Sequence, residues 1–422
     1  MDNGVSGLLT EQGALGVAGD NIANSNTVGF KRERSVFEDV LIQSSAGRGQ
    51  GAGVEQGPLQ QTFTQGSLEQ TGVSTDLGIS GGGFFAVAGS VNGVTGTFYS
   101  RAGEFRLDSS GCLVDPTGMK LLGYATQSDG LLAASVSPLV VPTSSIPAKV
   151  TDSMQLAANL DASAPVPTIT PFSADTPTQT ANFSTSIQVF DTLGSPHSLD
   201  VYFAKTSAGQ WEYHVLANGN ETTPVSPGNN VEIGSGTLAF TTRGELDSVA
   251  TTQPIQVTFG GADPQTISLN VGSPLATNGT GLDGVTQFAS PSNVSNESQN
   301  GYASGAMSGV TVDSSGTVSG LYTNGLQIPV GQIAMAKFRS ENGLARASSG
   351  LWVATPESGQ AALGTANSGG RGAISSGTLE SSNVSLAQEF TDIITHQRAF
   401  SANSKVIATA DDMLTQLIQL RK

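Results

Sequence analysis

Chemically reactive side chains are scarce in this sequence. Of its 422 residues one is cysteine and three are histidine, and charged residues make up 12%, about half of the usual ~25%. The lone cysteine, Cys112, cannot form an intrachain disulfide, and we interpret it as a small strand side chain. The histidines lie in different predicted elements, which does not indicate the three or four converging ligands of a zinc site. They are His197, His214 and His396.

Basic residues are also few, and this excludes two classes of partner. The chain has 18 Lys and Arg against 34 Asp and Glu, which gives a net charge of −16. Binding of nucleic acid requires clustered basic side chains against the phosphates, and docking on an anionic lipid surface depends on the same kind of cluster. We therefore expect no nucleic-acid partner and no attachment to a membrane surface.

Long apolar runs are missing as well. No stretch approaches the ~18 consecutive apolar residues that a membrane-spanning helix needs, so we expect a protein that is not membrane-embedded. The opening residues Met1–Gly4 have no basic region and lead into no apolar run. This pattern predicts export, if any, without a cleaved signal peptide.

One short motif resembles that of a hydrolase. Gly78–Gly82 matches the G-x-S-x-G pattern, but a nucleophile elbow joins a strand to a helix. Here Phe84–Val87 follows and reads as a strand, so a glycine-rich hairpin is the better interpretation. We predict no catalytic, cofactor-binding or metal site.

Glycine is abundant, with 53 residues, and it separates short strands through the middle of the chain. Leu199–Phe203 and Trp211–Val215 alternate with period two, as in a sandwich or barrel. The turn Leu107–Gly111 is repeated as Val312–Gly316, each with Asp at its start and Gly at its end. The repeat suggests one β-domain interrupted by another.

The C-terminal stretch predicts a long helix. Thr378–Lys422 contains no Gly or Pro, and apolar residues recur at spacings of three and four, as in a heptad seam. A helix of some 35 residues is about 50 Å long, and a single narrow seam cannot bury itself, so we expect it to contact other subunits. The apolar seam residues are Leu386, Phe390, Ile393, Phe400, Ile407, Leu414 and Ile418. Intervening seam positions are polar and predicted to face a channel or to pack as polar contacts: Gln397, Ser404 and Asp411.

A shorter seam occupies the N-terminus. Four apolar residues at helical spacing predict a helix that ends in the turn formers Asn24–Gly29. These seam residues are Val5, Leu8, Leu15 and Ile22.

The predicted fold class is multidomain and mainly β, with long terminal helices. Two β-sandwich-like or barrel-like domains are inserted between helices that pair as a coiled-coil-like inner domain. The predicted parts are an inner helical assembly domain (1–30 and 378–422), an extended linker (31–70), an inner β-domain (71–145 and 302–377) and an outer β-domain (146–301).

Several segments resemble the bacterial flagellar rod and hook protein family. At the N-terminus these are Ser6–Leu8 and Asn21–Lys31, and at the C-terminus Leu379–Val384, Gln397–Phe400 and Asn403. In the β-rich part they are Leu77–Ser80 with Gly83–Phe85, Tyr99–Phe105 and Gly118–Tyr124. The middle domain, with Val201–Lys205, is similar to that of the hook-forming members.

The resemblance implies a structural subunit. Such proteins are exported through the flagellum's own channel and polymerise outside the cell into a curved, hollow tube that carries torque from rod to filament. Implied partners are further copies of the chain, the distal rod protein, the hook cap, hook–filament junction proteins and the export apparatus. The N-terminal interface would also contain residues of the signature: Asn21, Asn24, Thr27, Gly29 and Phe30.

Two alternatives are open at this point. One is another axial component of the same family, such as a distal rod or hook-associated protein. The other is a non-flagellar extracellular adhesin or enzyme with a β-rich body.

Overall fold

A computed structural model describes residues 2–43, 49–127, 130–226 and 228–420. The chain is mainly β, with a helix at each end, and it divides into two compact units. The terminal unit comprises Met1–Thr143, Ser308–Leu321 and Leu326–Lys422. The inserted unit comprises Ser144–Met307 and Tyr322–Gly325, and residues 146–301, predicted as an outer domain, lie within it.

Three α-helices and three short 3-10 helices lie in the described residues. The α-helices are α1 (Asp2–Ala23), α2 (Pro177–Thr180) and α3 (Leu386–Leu420). The 3-10 helices are Leu275–Thr277, Glu341–Gly343 and Ser348–Gly350. None of these helices is long and apolar enough to cross a membrane.

The strands fall into three groups along the chain. The first group precedes the inserted unit: β1 (Glu33–Arg34), β2 (Phe37–Gln43), β3 (Gly49–Gln56), β4 (Gln60–Gln61), β5 (Leu68–Gln70), β6 (Leu77–Ser80), β7 (Phe84–Val91), β8 (Val94–Ser100), β9 (Arg106–Leu107), β10 (Leu113–Val114), β11 (Lys120–Ala125) and β12 (Ser137–Pro138). The second belongs to the inserted unit: β13 (Ser153–Asn159), β14 (Phe183–Phe190), β15 (Pro196–Ser207), β16 (Gln210–Asn218), β17 (Asn230–Phe240), β18 (Leu246–Gln253), β19 (Ile255–Val257), β20 (Gln265–Asn270) and β21 (Asn293–Gln299). The third follows: β22 (Met307–Val312), β23 (Thr317–Tyr322), β24 (Gln327–Ile333), β25 (Met335–Lys337), β26 (Ala345–Arg346), β27 (Leu351–Val353), β28 (Ala362–Gly364), β29 (Ala373–Ser376) and β30 (Thr378–Glu380).

The main sheet of the terminal unit is built from both flanks of the inserted unit. β11 pairs antiparallel with β24, and β7 pairs antiparallel with β25. The repeated turn has the same geometry in both flanks: the carboxylates of Asp108 and Asp313 accept backbone N–H groups two and four residues on. Gly111 and Gly316 end these turns with φ of +79° and +80°, a region that glycine adopts without strain.

Each unit has its own core. In the terminal unit, Phe84, Phe338, Trp352 and Tyr99 are buried and meet edge to face. In the inserted unit, a five-stranded antiparallel sheet (β14–β18) and a four-stranded sheet (β19, β20, β13, β21) share one core around Trp211.

Residues 31–70 were predicted as an extended linker, but β1–β5 lie there. β2 and β3 form an antiparallel hairpin in which Glu38 is directly opposite Glu55. Part of the predicted linker, residues 44–48, lies outside the described residues. Backbone hydrogen bonds build the hairpin, so its Gly- and Gln-rich second strand needs no apolar pattern that a sequence could show.

The C-terminal segment also begins differently from the prediction. Its first residues are not helical, because Thr378–Glu380 form β30, which pairs with β5. The helix α3 starts only at Leu386, and residues 381–385 between β30 and α3 have no regular secondary structure.

Candidate assembly site at the chain termini

The two terminal helices lie antiparallel, side by side. Gly4 lies beside Ile407, and Gly7 lies beside Asn403. A Cβ atom added to Gly4 would be 2.9 Å from the Ile407 side chain, and one added to Gly7 would be 2.6 Å from the Asn403 side chain. Further along, the carboxylate of Glu11 is 2.6 Å from Nδ1 of His396. Because glycine has no side chain, the α3 side chains approach the backbone of α1 closely.

The buried face of α1 is not the predicted apolar seam. It consists of small and polar residues: Gly4, Gly7, Thr10, Ala14, Ala18 and Asn21. Of the predicted seam, Val5 is 44% exposed, and Leu8, Leu15 and Ile22 are half-buried. Small residues face inward because α3 and the β2–β3 hairpin both pack against this helix.

The predicted seam of α3 is divided between two environments. Ile393 and Ile407 are half-buried, and Ile407 lies beside Gly4 of α1. The other five are 38–71% exposed in the single chain: Leu386, Phe390, Phe400, Leu414 and Ile418. Of the polar seam positions, Gln397 and Asp411 are exposed and Ser404 is half-buried.

A buried ionic cluster joins both chain termini to the β-sheet. The Nζ atom of Lys31 is 2.6 Å from Oε1 of Glu380, and Nη1 of Arg101 is 3.2 Å from its Oε2. The side chains of Lys31 and Glu380 are 0% exposed and that of Arg101 is 2% exposed. The backbone N–H of Gly66 also donates to Glu380. One carboxylate therefore holds three segments that are far apart in sequence.

The surroundings of this cluster shift the pKa of the Lys31 amine in two opposite directions. Burial lowers the pKa of Lys31 below its ordinary value, whereas the charge and hydrogen bond of Glu380 act in the opposite direction. Lys31 also donates to the carbonyl of Thr64 at 2.9 Å. The cluster is held by opposite charge in a site without water access, where an ion that lost its partner would be strongly disfavoured.

A second polar cluster fixes the start of α3 against the end of α1. The side-chain amide of Asn21 exchanges hydrogen bonds with the backbone of Glu33 and donates to the carboxylate of Glu389 at 3.1 Å. Arg32 pairs with Glu389 and with Asp392, the latter at 2.8 Å. These contacts tie the start of α3 to the end of α1 and to the segment that follows it.

The signature residues predicted at the interface make contacts inside the chain. Gly29 has φ +69°, and a Cβ there would lie 2.5 Å from the backbone nitrogen of Ala102. Phe30 is buried, with the guanidinium of Arg346 5.2 Å from its ring centroid. The side-chain amide of Asn24 donates to the carbonyl of Asp20 and accepts from the hydroxyl of Thr27, which closes the turn after α1.

Sequence reasoning did not identify the buried ionic cluster. Lys31, Arg101 and Glu380 each lie in a segment that carries the family resemblance, and they are charged residues in a chain with few charges. That coincidence was the available signal. This signal could not show that Lys31 pairs with Glu380, since the two residues are 349 positions apart in the sequence.

Four family models match this chain in order. "Flagella basal body rod protein" matches residues 1–31, and "Flagellar hook protein FlgE/F/G D1 domain" matches residues 78–157. "Flagellar basal body protein FlaE D2 domain" matches residues 159–302, and "Flagellar basal body rod FlgEFG protein C-terminal" matches residues 375–420. The matches thus cover both ends and the β-rich stretch 78–302, whereas residues 32–77 and 303–374 lie outside them.

Full-length relatives decide the family. The flagellar hook protein FlgE of Escherichia coli K12 is 36% identical over 421 residues, which cover 99% of this chain and 98% of that protein. That of Treponema pallidum is 33% identical over 475 residues, covering 100% and 99%. The chain belongs to the flagellar hook protein FlgE family. As a member of the FlgE family it is a structural subunit of the bacterial flagellar hook and not an enzyme, and the alternatives of a rod protein or an adhesin are not favoured.

A solved structure supports the fold of a FlgE protein. The crystal structure of Helicobacter pylori flagellar hook protein FlgE2 matches with a TM-score of 0.51 at 15% identity, covering 72% of this chain and 98% of that one. At this identity the likeness concerns the fold alone.

Proposed function

We propose that this hook subunit polymerises through its terminal helices into a curved, hollow tube, which acts as a flexible universal joint between rod and filament. In this proposal α1 and α3 pair as a coiled-coil-like inner domain at the wall of the channel. The inner (71–145 and 302–377) and outer (146–301) β-domains, sandwich-like or barrel-like in form, lie at larger radius.

The exposed apolar side chains of α3 carry this proposal. Leu386, Phe390, Phe400, Leu414 and Ile418 are between 38% and 71% exposed in the single chain, although burial of each would contribute about 1.5–3 kcal/mol. A row of such residues along one long helix indicates a partner surface. Other copies of the chain are the partner that a hook subunit requires.

The interface assignment follows from exposure. Val5 and the exposed α3 residues contact neighbouring subunits, whereas Ile393 and Ile407 contribute to the pairing of α3 with α1. Asn21, Gly29 and Phe30 act indirectly by holding the helices in place. Gln397, Ser404 and Asp411 face the channel or make polar contacts, because a buried, unpaired carboxylate would cost several kcal/mol.

The remaining partners follow from the position of a hook in the flagellum. The proposed ones are the distal rod protein, the hook cap, the hook–filament junction proteins and the flagellar export apparatus. Export outside the cell without a cleaved signal peptide belongs to the same proposal.

Removal of the termini tests where assembly resides. We expect a fragment of about residues 71–377 to fold as a soluble monomer that forms no tubes, because the long seams lie outside it. Circular dichroism reports its β-structure, and electron microscopy compares it with the full chain under the same conditions. Tubes formed by this fragment alone would refute the assignment of assembly to the termini.

A further inference from the structure

The side of α3 that faces away from α1 carries an unpaired basic row. Arg398 and Lys405 are both exposed and lie seven residues apart, hence on one face of the helix. His396 and Asn403 face α1, and Arg398 and Lys405 come two residues after them. Two residues correspond to about 200° of rotation around the helix, so Arg398 and Lys405 point away from α1. In the described part of the chain neither Arg398 nor Lys405 has an ion-pair partner.

An exposed apolar side chain and an open depression lie beside this basic row. Ile394, one turn before Arg398, is 50% exposed. The depression has a volume of about 490 Å³ and is lined by Ile394, Gln397, Arg398, Ser401, Ala402 and Lys405. The face thus combines an apolar contact with two cations, in a chain whose net charge is −16.

The β2–β3 hairpin presents the complementary charge. Glu38 and Glu55 are directly opposite each other across the two strands, and both are exposed. Like charges directly opposite in an antiparallel pair are destabilising. Neither carboxylate makes an ion pair with any residue that the structure describes, so a cation from elsewhere would relieve their repulsion.

We propose that the Arg398–Lys405 face of α3 docks on the Glu38–Glu55 face of the hairpin of a second copy of this chain. The proposal rests on the polymerisation proposed above and names the two surfaces that meet. We assign the hairpin as the docking partner because its two carboxylates, which have no ion-pair partner among the described residues, match the two cations of α3, which also have none there. Ile394 supplies the apolar part of the contact.

Charge exchange between copies tests the docking. Arg398→Glu with Lys405→Glu, and separately Glu38→Lys with Glu55→Lys, should each raise the critical concentration for polymerisation by about tenfold or more, since like charges then meet at every contact. An equimolar mixture of the two variants should polymerise near the level of the unmodified chain, because each variant then meets the opposite charge only on the other. A control matched to the first variant, Arg106→Glu with Lys120→Glu, makes the same change in net charge as that variant on exposed residues of the β-sheet and should have little effect.

The outcomes separate the two proposals. If the unmodified chain forms no tubes, polymerisation itself is refuted. If it forms tubes but the variants assemble as well as it does, or if a chain with all four substitutions assembles while the mixture does not, the docking between copies is refuted.

A second measurement needs no variant. Tubes are assembled from a mixture of unlabelled and nitrogen-15-labelled unmodified chains and treated with a carbodiimide, which joins an amine to a nearby carboxylate. We expect peptides that link Lys405 to Glu38 or Glu55, with one half labelled and the other unlabelled. Absence of these mixed peptides, when other cross-links form, would overturn the proposal.

Discussion

Replacement of Phe400 or Leu414 by Asp is expected to abolish polymerisation while the single chain remains folded. Phe400 is 38% exposed and Leu414 is 48% exposed, so a carboxylate at either position stays in water in the free subunit. In the polymer the same carboxylate would lie between subunits, where it removes about 1.5–3 kcal/mol of apolar burial and adds the desolvation of an unpaired charge. This loss of binding free energy recurs at every subunit contact. Sedimentation and electron microscopy measure whether the variant chains still assemble into tubes.

Polar positions of the same helix provide the control. Gln397→Ala and Ser404→Ala should leave assembly nearly unchanged, because neither side chain contributes apolar burial. Ile407→Asp should also prevent assembly, but by another route: Ile407 packs over Gly4 of α1, so this variant disturbs the pairing of the two helices. If the Ala variants blocked assembly and the Asp variants did not, the orientation of α3 would be inverted.

Replacement of Glu380 by Ala is expected to destabilise the terminal unit by about 3–5 kcal/mol, the usual effect of leaving buried charges without their partner. Lys31 and Arg101 would both remain, with side chains 0% and 2% exposed. Denaturant unfolding measures the change through Trp352, which is buried in this unit. The other tryptophan, Trp211, is replaced by Phe throughout so that the fluorescence reports one unit.

Two further variants sharpen this result. Glu69→Ala removes an exposed carboxylate from the neighbouring strand β5 and should change the free energy of unfolding little. Lys31→Met added to Glu380→Ala removes one of the stranded cations, so part of the lost stability should return. Equal losses for Glu69→Ala and Glu380→Ala would show that the buried cluster contributes nothing specific.

The sequence predicted the terminal helices but not the direction in which they pack. The apolar repeat from Leu386 to Ile418 indicates that one face of α3 is buried against a partner. It does not indicate whether that partner belongs to the same chain or to another copy. For α1 the inward face is made of small and polar residues, mostly glycine and alanine, because close approach of two backbones favours the smallest residues. A search for large apolar residues therefore found the half-buried flank of the helix, with Leu8, Leu15 and Ile22, and not its buried face.

The sequence did not predict the long-range contacts, and the reason is different. The hairpin of β2 and β3 is held by backbone hydrogen bonds, which leave no period in the side chains. The pairing of Glu380 with Arg101 joins residues 279 positions apart, and nothing in either segment specifies the other. By contrast, the Asp–Gly turns and the strands around Trp211 are local, and the sequence predicted them.

Electron cryomicroscopy of tubes assembled from the unmodified chain tests most directly whether the terminal helices build the wall. We expect α1 and α3 at the smallest radius around the channel, with Phe400 and Leu414 against a neighbouring subunit and the β-domains further out. A map that places these helices at the outer surface, or that leaves Phe400 and Leu414 in solvent, would contradict assembly through the chain termini.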